Sequence, residues 1–136
     1  MKRDMELIRK ILFYIEENYI PGERWLQDIN ISGYNQATIM EHILLVHEAG
    51  FIQNIKDVST MSGTEYWVSN LSSAGYDFLD KIRNDTIWNK TKETIKEKGL
   101  PMLITTIGTV ASAFVSAATE GAVAALLKSG GLPDGN

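Results

Sequence analysis

Residues 35–82 read NQATIMEHILLVHEAGFIQNIKDVSTMSGTEYWVSNLSSAGYDFLDKI, and the hydrophobic period changes twice along them. From Asn35 the apolar residues Ile39, Met40, Ile43, Leu44 and Val46 recur at steps of three and four, the period of an amphipathic helix. Asn35 suits its N-cap and Gly50 its stop. The period then drops to two. Phe51, Gln53 and Ile55 alternate with Ile52 and Asn54, a polar loop follows at 57–63, and Tyr66, Trp67 and Val68 suit a second strand. From Ser72, near a cap, LSSAGYDFLDKI returns to helical spacing. The stretch therefore reads as helix, β-hairpin, helix.

Upstream, residues 4–19 form a further amphipathic helix. Met5, Ile8, Leu12, Ile15 and Tyr19 share a face with Ile11 beside them, and Lys10, Glu16 and Glu17 point away. PGE at 21–23 ends it. RWLQDINISGYN then enters the core through Trp25, Leu26, Ile29 and Ile31, as a short strand or one helical turn. Helix, short element, helix, hairpin, helix is the order of a winged helix–turn–helix. The expected fold class is α+β, mostly helical: a winged helix-turn-helix-like domain followed by C-terminal helices. Downstream, Asp85 caps a charged helix ending at Gly99. Pro101 then begins an uncharged helix as its first helical residue. The expected divisions are 1–84 for the winged-helix-like domain, 85–99 for the linking helix, 100–128 for the uncharged helix and 129–136 for a loose terminus.

The chain has 136 residues, which suits one ordinary domain with an appendage. Hydrophobic residues make up 44% and charged ones 22%, enough for a buried core. There is no cysteine, so no disulfide, thiolate metal site or thiol nucleophile is available. The opening MKRDMELIRK has no apolar run and does not read as a secretory signal. The net charge of −4 argues against a general polyanion binder.

In a helix–turn–helix the second helix enters the major groove, and its first turns touch base edges. Asn35, Gln36, Glu41, His42 and Leu45 form the expected recognition surface here. Asn35 and Gln36 have the amides that read adenine. Yet residues 28–50 contain no lysine or arginine, while Asp28, Glu41 and Glu48 are all acidic. The wing loop adds Asp57 and Glu65 against Lys56. Phosphate neutralisation carries most of such affinity, so the charge disfavours DNA and favours a protein partner. An active site is not expected. His42 and His47 are the only histidines, about 140° apart around the helix rather than at a zinc-binding step of four. His42 is expected at the surface and His47 in helix packing. No nucleophile, base and orienting group come together, so the expectation is no enzyme, no metal and no cofactor.

LPMLITTIGTVASAFVSAAT, residues 100–119, carries no charge. On a helix, Leu103, Ile107, Val110 and Phe114 form an aliphatic side. Thr105, Thr109, Ser112, Ser116 and Thr119 form a hydroxyl side. Three readings stay open. The aliphatic side packs on the chain itself or on another copy, helped by the small residues Ala113, Ala117, Gly121 and Ala125. The segment spans a membrane, with Gly108, Ser112 and Ser116 as a helix-contact face and the preceding lysines holding the N-terminal domain in the cytoplasm. Or several copies line a pore with hydroxyls.

Three stretches resemble a family of short bacterial and phage proteins known as domain of unknown function 2513. They are MKRDMELIRKIL, GYNQATIMEHILLVHEAGFI and LSSAGYDFLDKIRNDTIWNKTKETIKEKG, together covering about residues 1–99. The resemblance implies a small non-secreted protein of winged-helix aspect and transfers no functional residue. Family members end in a shorter, more charged helix, so the uncharged tail is read on its own. The whole reads as a cytoplasmic, non-enzymatic regulatory or interaction module of a bacterium or prophage. It binds a protein, or less readily DNA, and self-associates into a homo-oligomer through its last helix. The contrasting reading is a protein anchored in or disrupting the inner membrane through residues 100–127, its N-terminal domain cytoplasmic.

Overall fold

A computed structural model describes residues 1–128, with 118–128 described by backbone alone. The expected loose terminus, 129–136, and the side chains of Thr119, Gly121 and Ala125 lie outside the described residues. Among those described, the fold is α+β and mostly helical. Its elements are α1 (Met5–Asn18), α2 (Gln36–Glu48), β1 (Ile55–Asp57), β2 (Tyr66–Val68), α3 (Ser73–Ile82), α4 (Asp85–Glu97) and α5 (Ile104–Lys128). The chain divides into two compact units, Met1–Asp80 and a second beginning at Lys81.

In the first unit, α1 starts where Asp4 accepts the Leu7 N–H, a side-chain cap that satisfies one orphan donor. Ile8, Ile11, Leu12 and Ile15 are fully buried, as their spacing predicts, and so are Leu7 beside them and Ile39, Met40, Ile43 and Val46 of α2. α2 is capped by Asn35, which accepts the Thr38 N–H at 2.8 Å. It ends in a Schellman motif: Gly50 has φ +84° and donates to His47, and Phe51 donates to Val46. That turn aims Phe51 into the core, where its ring stacks on Phe78 of α3 with centroids 4.8 Å apart.

The expected hairpin forms with shorter strands. Ile55, Lys56 and Asp57 pair antiparallel with Val68, Trp67 and Tyr66. Val58 N–H to Glu65 and the mutual Thr60–Gly63 bonds zip the loop down to an exposed tip at Met61. The segment between α1 and α2 contributes a single bridge. Leu26 exchanges both backbone bonds with Val68, at 2.7 and 3.1 Å. The Tyr66 N–H meets the Met40 sulfur at 3.2 Å, tying the hairpin to α2.

The second unit is a helical hairpin. Asn84, not Asp85, caps α4, since its side chain accepts the Ile87 N–H at 3.1 Å. Asp85 instead supplies first-turn charge. A second Schellman motif ends α4. Gly99, at φ +64°, donates to Lys96, and Leu100 donates to Ile95. Pro101 precedes α5 rather than opening it. Leu103 also lies outside the helix, with 41% of its surface exposed. α4 and α5 pack together, and Trp88, Thr91 and Ile95 of α4 and Ile107 and Ala111 of α5 are buried. The buried line of α5 thus steps from Ile107 to Ala111, while Val110 and Phe114 are half-buried. Among the described residues no helix is long and apolar enough to cross a membrane.

Candidate partner-binding cleft

The first turn of α2 faces the hairpin across a hollow of about 500 Å³. Three elements wall it. The loop before α2 supplies Gln27, Asp28 and Asn30, α2 supplies Gln36, and the hairpin supplies Val58, Glu65 and Trp67. A second hollow of about 390 Å³ shares Gln36, Val58 and Glu65 and runs on to Gly63, so the two form one groove along the hairpin. Gln36 Nε2 donates to Glu65 Oε2 at 3.4 Å and links the two walls. Asp28 holds φ +55°, a left-handed conformation that aspartate tolerates better than most residues. Its carbonyl accepts from the Tyr14 hydroxyl at 3.5 Å.

The chemistry of the groove is one-sided. Its walls hold two carboxylates and three side-chain amides, and neither hollow is lined by a lysine or arginine. A nearby cation is Lys56, whose Nζ sits 5.5 Å from the centre of the Trp67 ring. The same sign extends over the outer face of α2. Burial raises the Tyr66 phenol above its ordinary value, and the carboxylates of Asp57, Glu41 and Glu48 add to the effect. The Asp57 carboxyl is held below its ordinary value by bonds from the Ser59 hydroxyl and N–H.

Of the expected recognition residues, Asn35, Gln36 and Glu41 are exposed, and Leu45 is half-buried. His42 is not at the surface. It is fully buried, and both ring nitrogens are engaged. The Asp4 N–H donates to Nε2 at 2.9 Å, and Nδ1 lies 2.8 Å from the Thr38 carbonyl. A neutral imidazole carrying its proton on Nδ1 satisfies both. The physical reason is the start of α1. Asp4 caps that helix with its side chain, and its own N–H needs an acceptor, which α2 provides. Tyr34 completes the clasp. Burial, then the Asp4 carboxylate and a hydrogen bond to it, and finally Glu6 raise its phenol above the ordinary value. The place of His42 three residues after Ile39 and four before Val46 was the signal for burial, but nothing local pointed to this bond across 38 residues.

Asn35 is also less free than its sequence role requires, because its Oδ1 serves the helix cap. In the tail, Gly108 and Ser112 are half-buried and Ser116 is exposed. The Thr109 hydroxyl donates to Thr105 of its own helix at 3.0 Å. The groove residues Gln27, Asp28, Asn30, Val58 and Glu65 carried no motif. The hint the sequence offered was charge, the acidic Asp28 and Glu65 with no lysine or arginine over residues 28–50. Among the described residues no group of three or more His, Cys, Asp or Glu is placed to hold a metal.

The fold and cleft define a small, mostly helical α+β protein with an acidic groove between a helix start and a hairpin. The chain belongs to the family described as Hypothetical protein (DUF2513), whose model matches residues 2–101. An uncharacterized protein of Haemophilus influenzae is similar to it, with 37% identity over 116 residues, 85% of this chain and 97% of that relative. Those 116 residues exceed the span of the family match, so the likeness runs on into the segment that forms α5. No solved structure matches the chain.

Proposed function

We propose that this protein is a non-enzymatic interaction module of winged-helix type whose α2–hairpin groove takes a basic segment of a protein partner. The winged-helix reading is supported by the order of α1, the Leu26–Val68 bridge, α2, the hairpin and α3. The observation that carries the function is the groove wall: Asp28, Glu65, three amides and the Trp67 ring, with no lysine or arginine. Carboxylates accept from ammonium and guanidinium groups in charge-assisted bonds, and an indole face attracts the same cations. The duplex-DNA reading has weaker support, because such a groove repels phosphate and Asn35 serves its cap. Self-association through α5 is not part of this reading, since Ile107 and Ala111 are buried in the α4–α5 hairpin.

The test pairs two titrations of the full chain. Displayed peptide libraries are expected to yield lysine- or arginine-bearing binders whose affinity falls at least tenfold in Asp28→Asn/Glu65→Gln. A panel of mixed-sequence duplexes is expected to show no sub-micromolar, salt-sensitive binding. Duplex binding that is lost in Gln36→Ala would overturn the proposal, as would peptide binders without basic residues.

A further inference from the structure

The turn between α4 and α5 has a composition unlike the rest of the surface. Six large hydrophobic residues are exposed among those described, and three of them, Leu100, Met102 and Leu103, fall within four positions at this turn. Their exposures are 41%, 38% and 41%. Scattered exposed leucines are ordinary on a protein surface, but three large apolar residues exposed on one turn call for an explanation. Beneath it lies a hollow of about 720 Å³ with Ile95, Leu100 and Met102 as its apolar lining. Lys92, Lys96 and one carboxylate, Glu93, complete its lining. Lys98 is exposed at the end of α4, next to the turn, and the exposed Glu97 between it and Lys96 leaves lysines in excess of carboxylates by three to two.

Part of the backbone of this turn is satisfied from within. The N–H groups of Gly99, Leu100 and Leu103 are bonded to Lys96, Ile95 and Pro101. Pro101 has no N–H to satisfy.

We infer that this turn docks on the surface of an anionic lipid bilayer. Leu100, Met102 and Leu103 enter the interface, and Lys96 and Lys98 pair with headgroup phosphates. Aliphatic residues beside lysines are the pattern of an interfacial anchor. The lysine stems can lie along the apolar boundary while their ammonium groups stay in water. A protein partner fits less well, because protein hot spots are built on tryptophan, tyrosine and arginine, and this turn has none. A second copy fits less well too. Three partly exposed side chains fall far short of the roughly 800 Å² per partner that a stable interface buries. The chain carries a net −4, so the attraction is local, acting within a Debye length of about 8–10 Å.

The experiment is sedimentation of the full chain with sucrose-loaded vesicles. One set contains phosphatidylglycerol and phosphatidylethanolamine, and the other contains phosphatidylcholine alone. Partitioning to the anionic set is expected to exceed the neutral set at least tenfold. Met102→Ser/Leu103→Ser is expected to lower it at least tenfold. Lys96→Gln/Lys98→Gln is expected to lower it several-fold and to flatten its salt dependence. All four positions are exposed, and circular dichroism checks that the variants fold. The chain has no cysteine, so a single bimane on Leu103→Cys gives a second reading, a blue shift with anionic vesicles only. Equal binding to both vesicle types, or binding to neither, overturns the inference. So does a concentration-dependent dimer that Met102→Ser/Leu103→Ser abolishes, which would assign the turn to a second copy.

Discussion

Replacing a helical glycine by alanine ordinarily stabilises a helix by about 1 kcal/mol. Gly75, buried in the first turn of α3, is expected to reverse that sign. A Cβ built there would run into the Phe51 carbonyl oxygen, 3.0 Å from the carbonyl carbon and 3.1 Å from its Cα. The obstacle is backbone, so no rotamer change relieves it. The approach is locked from both sides. The Ser72 N–H donates to the same Phe51 oxygen at 2.9 Å, the Gly75 N–H donates to Ser72 Oγ at 3.0 Å, and Ser72 Oγ reaches the Gly50 carbonyl. Alanine must push α3 off the Phe51 turn, which breaks some of these bonds and loosens the Phe51–Phe78 stack. Overpacking of this kind costs about 1–3 kcal/mol, and a lost hydrogen bond about 1 more. Set against the propensity gain, Gly75→Ala is expected to destabilise the first unit by about 1–3 kcal/mol. Urea unfolding followed by tryptophan fluorescence measures it, with Ala74→Gly as the control. That exposed neighbour follows propensity alone and loses about 1 kcal/mol. Both directions of exchange should therefore cost stability. A Gly75→Ala chain as stable as the parent, or more so, would falsify the close approach of α3 to the Phe51 carbonyl.

His42→Ala removes a fully buried ring and the acceptor of the Asp4 N–H, and should cost about 2–4 kcal/mol in urea unfolding, with faster amide exchange at Asp4. A change below about 0.5 kcal/mol would refute the clasp. The Thr91 hydroxyl is buried without a hydrogen-bond partner, so Thr91→Val should stabilise the α4–α5 hairpin by about 1 kcal/mol in thermal unfolding; a loss would mean that the hydroxyl has a partner. Tyr34 and Tyr66 are both raised above the ordinary phenol value of 10.0. The folded chain then holds these protons where the unfolded chain loses them. This contribution is complete below about pH 10 and is lost as pH rises through the folded values. Ultraviolet titration should show two late phenols, with one removed in each of Tyr34→Phe and Tyr66→Phe; simultaneous ionisation of all tyrosines would contradict the assignment.

The helices were legible because their burial follows a period the sequence states outright. Ile8, Ile11, Leu12 and Ile15 are buried where a step of three or four puts them, and Asn35 and Gly50 bound α2 for reasons of local backbone chemistry. The hairpin was legible from alternation and from the polar run at 57–63. Errors came where an adjoining turn or a distant segment decides. Asn84 and Asp85 are both good caps, and only the turn before α4 selects Asn84. Pro101 suits the first turn of a helix, but the Schellman bonds of Gly99 and Leu100 turn the chain there, and α5 begins at Ile104. His42 faces inward from the same side of α2 as Ile39 and Val46, and the donor that meets its polar edge, the Asp4 N–H, comes from 38 residues away. The groove is written in no single stretch, since its walls come from residues 27–30, 36 and 58–67.

Charge separates the two proposed surfaces more sharply than the total suggests. Met1–Asp80 carries six lysines and arginines against twelve aspartates and glutamates, a balance of −6. From Lys81 onward there are seven against five, a balance of +2, and together these restore the −4 of the whole. A cation-accepting groove belongs in the first unit, and an anion-facing turn in the second. Salt weakens both contacts alike, so ionic strength alone does not tell them apart. Substitution does. Glu65→Gln should release a basic peptide and leave vesicle binding unchanged, whereas Lys96→Gln/Lys98→Gln should do the reverse. If one substitution disturbed both, the two surfaces would be parts of a single site, and the separation argued from local charge would fail.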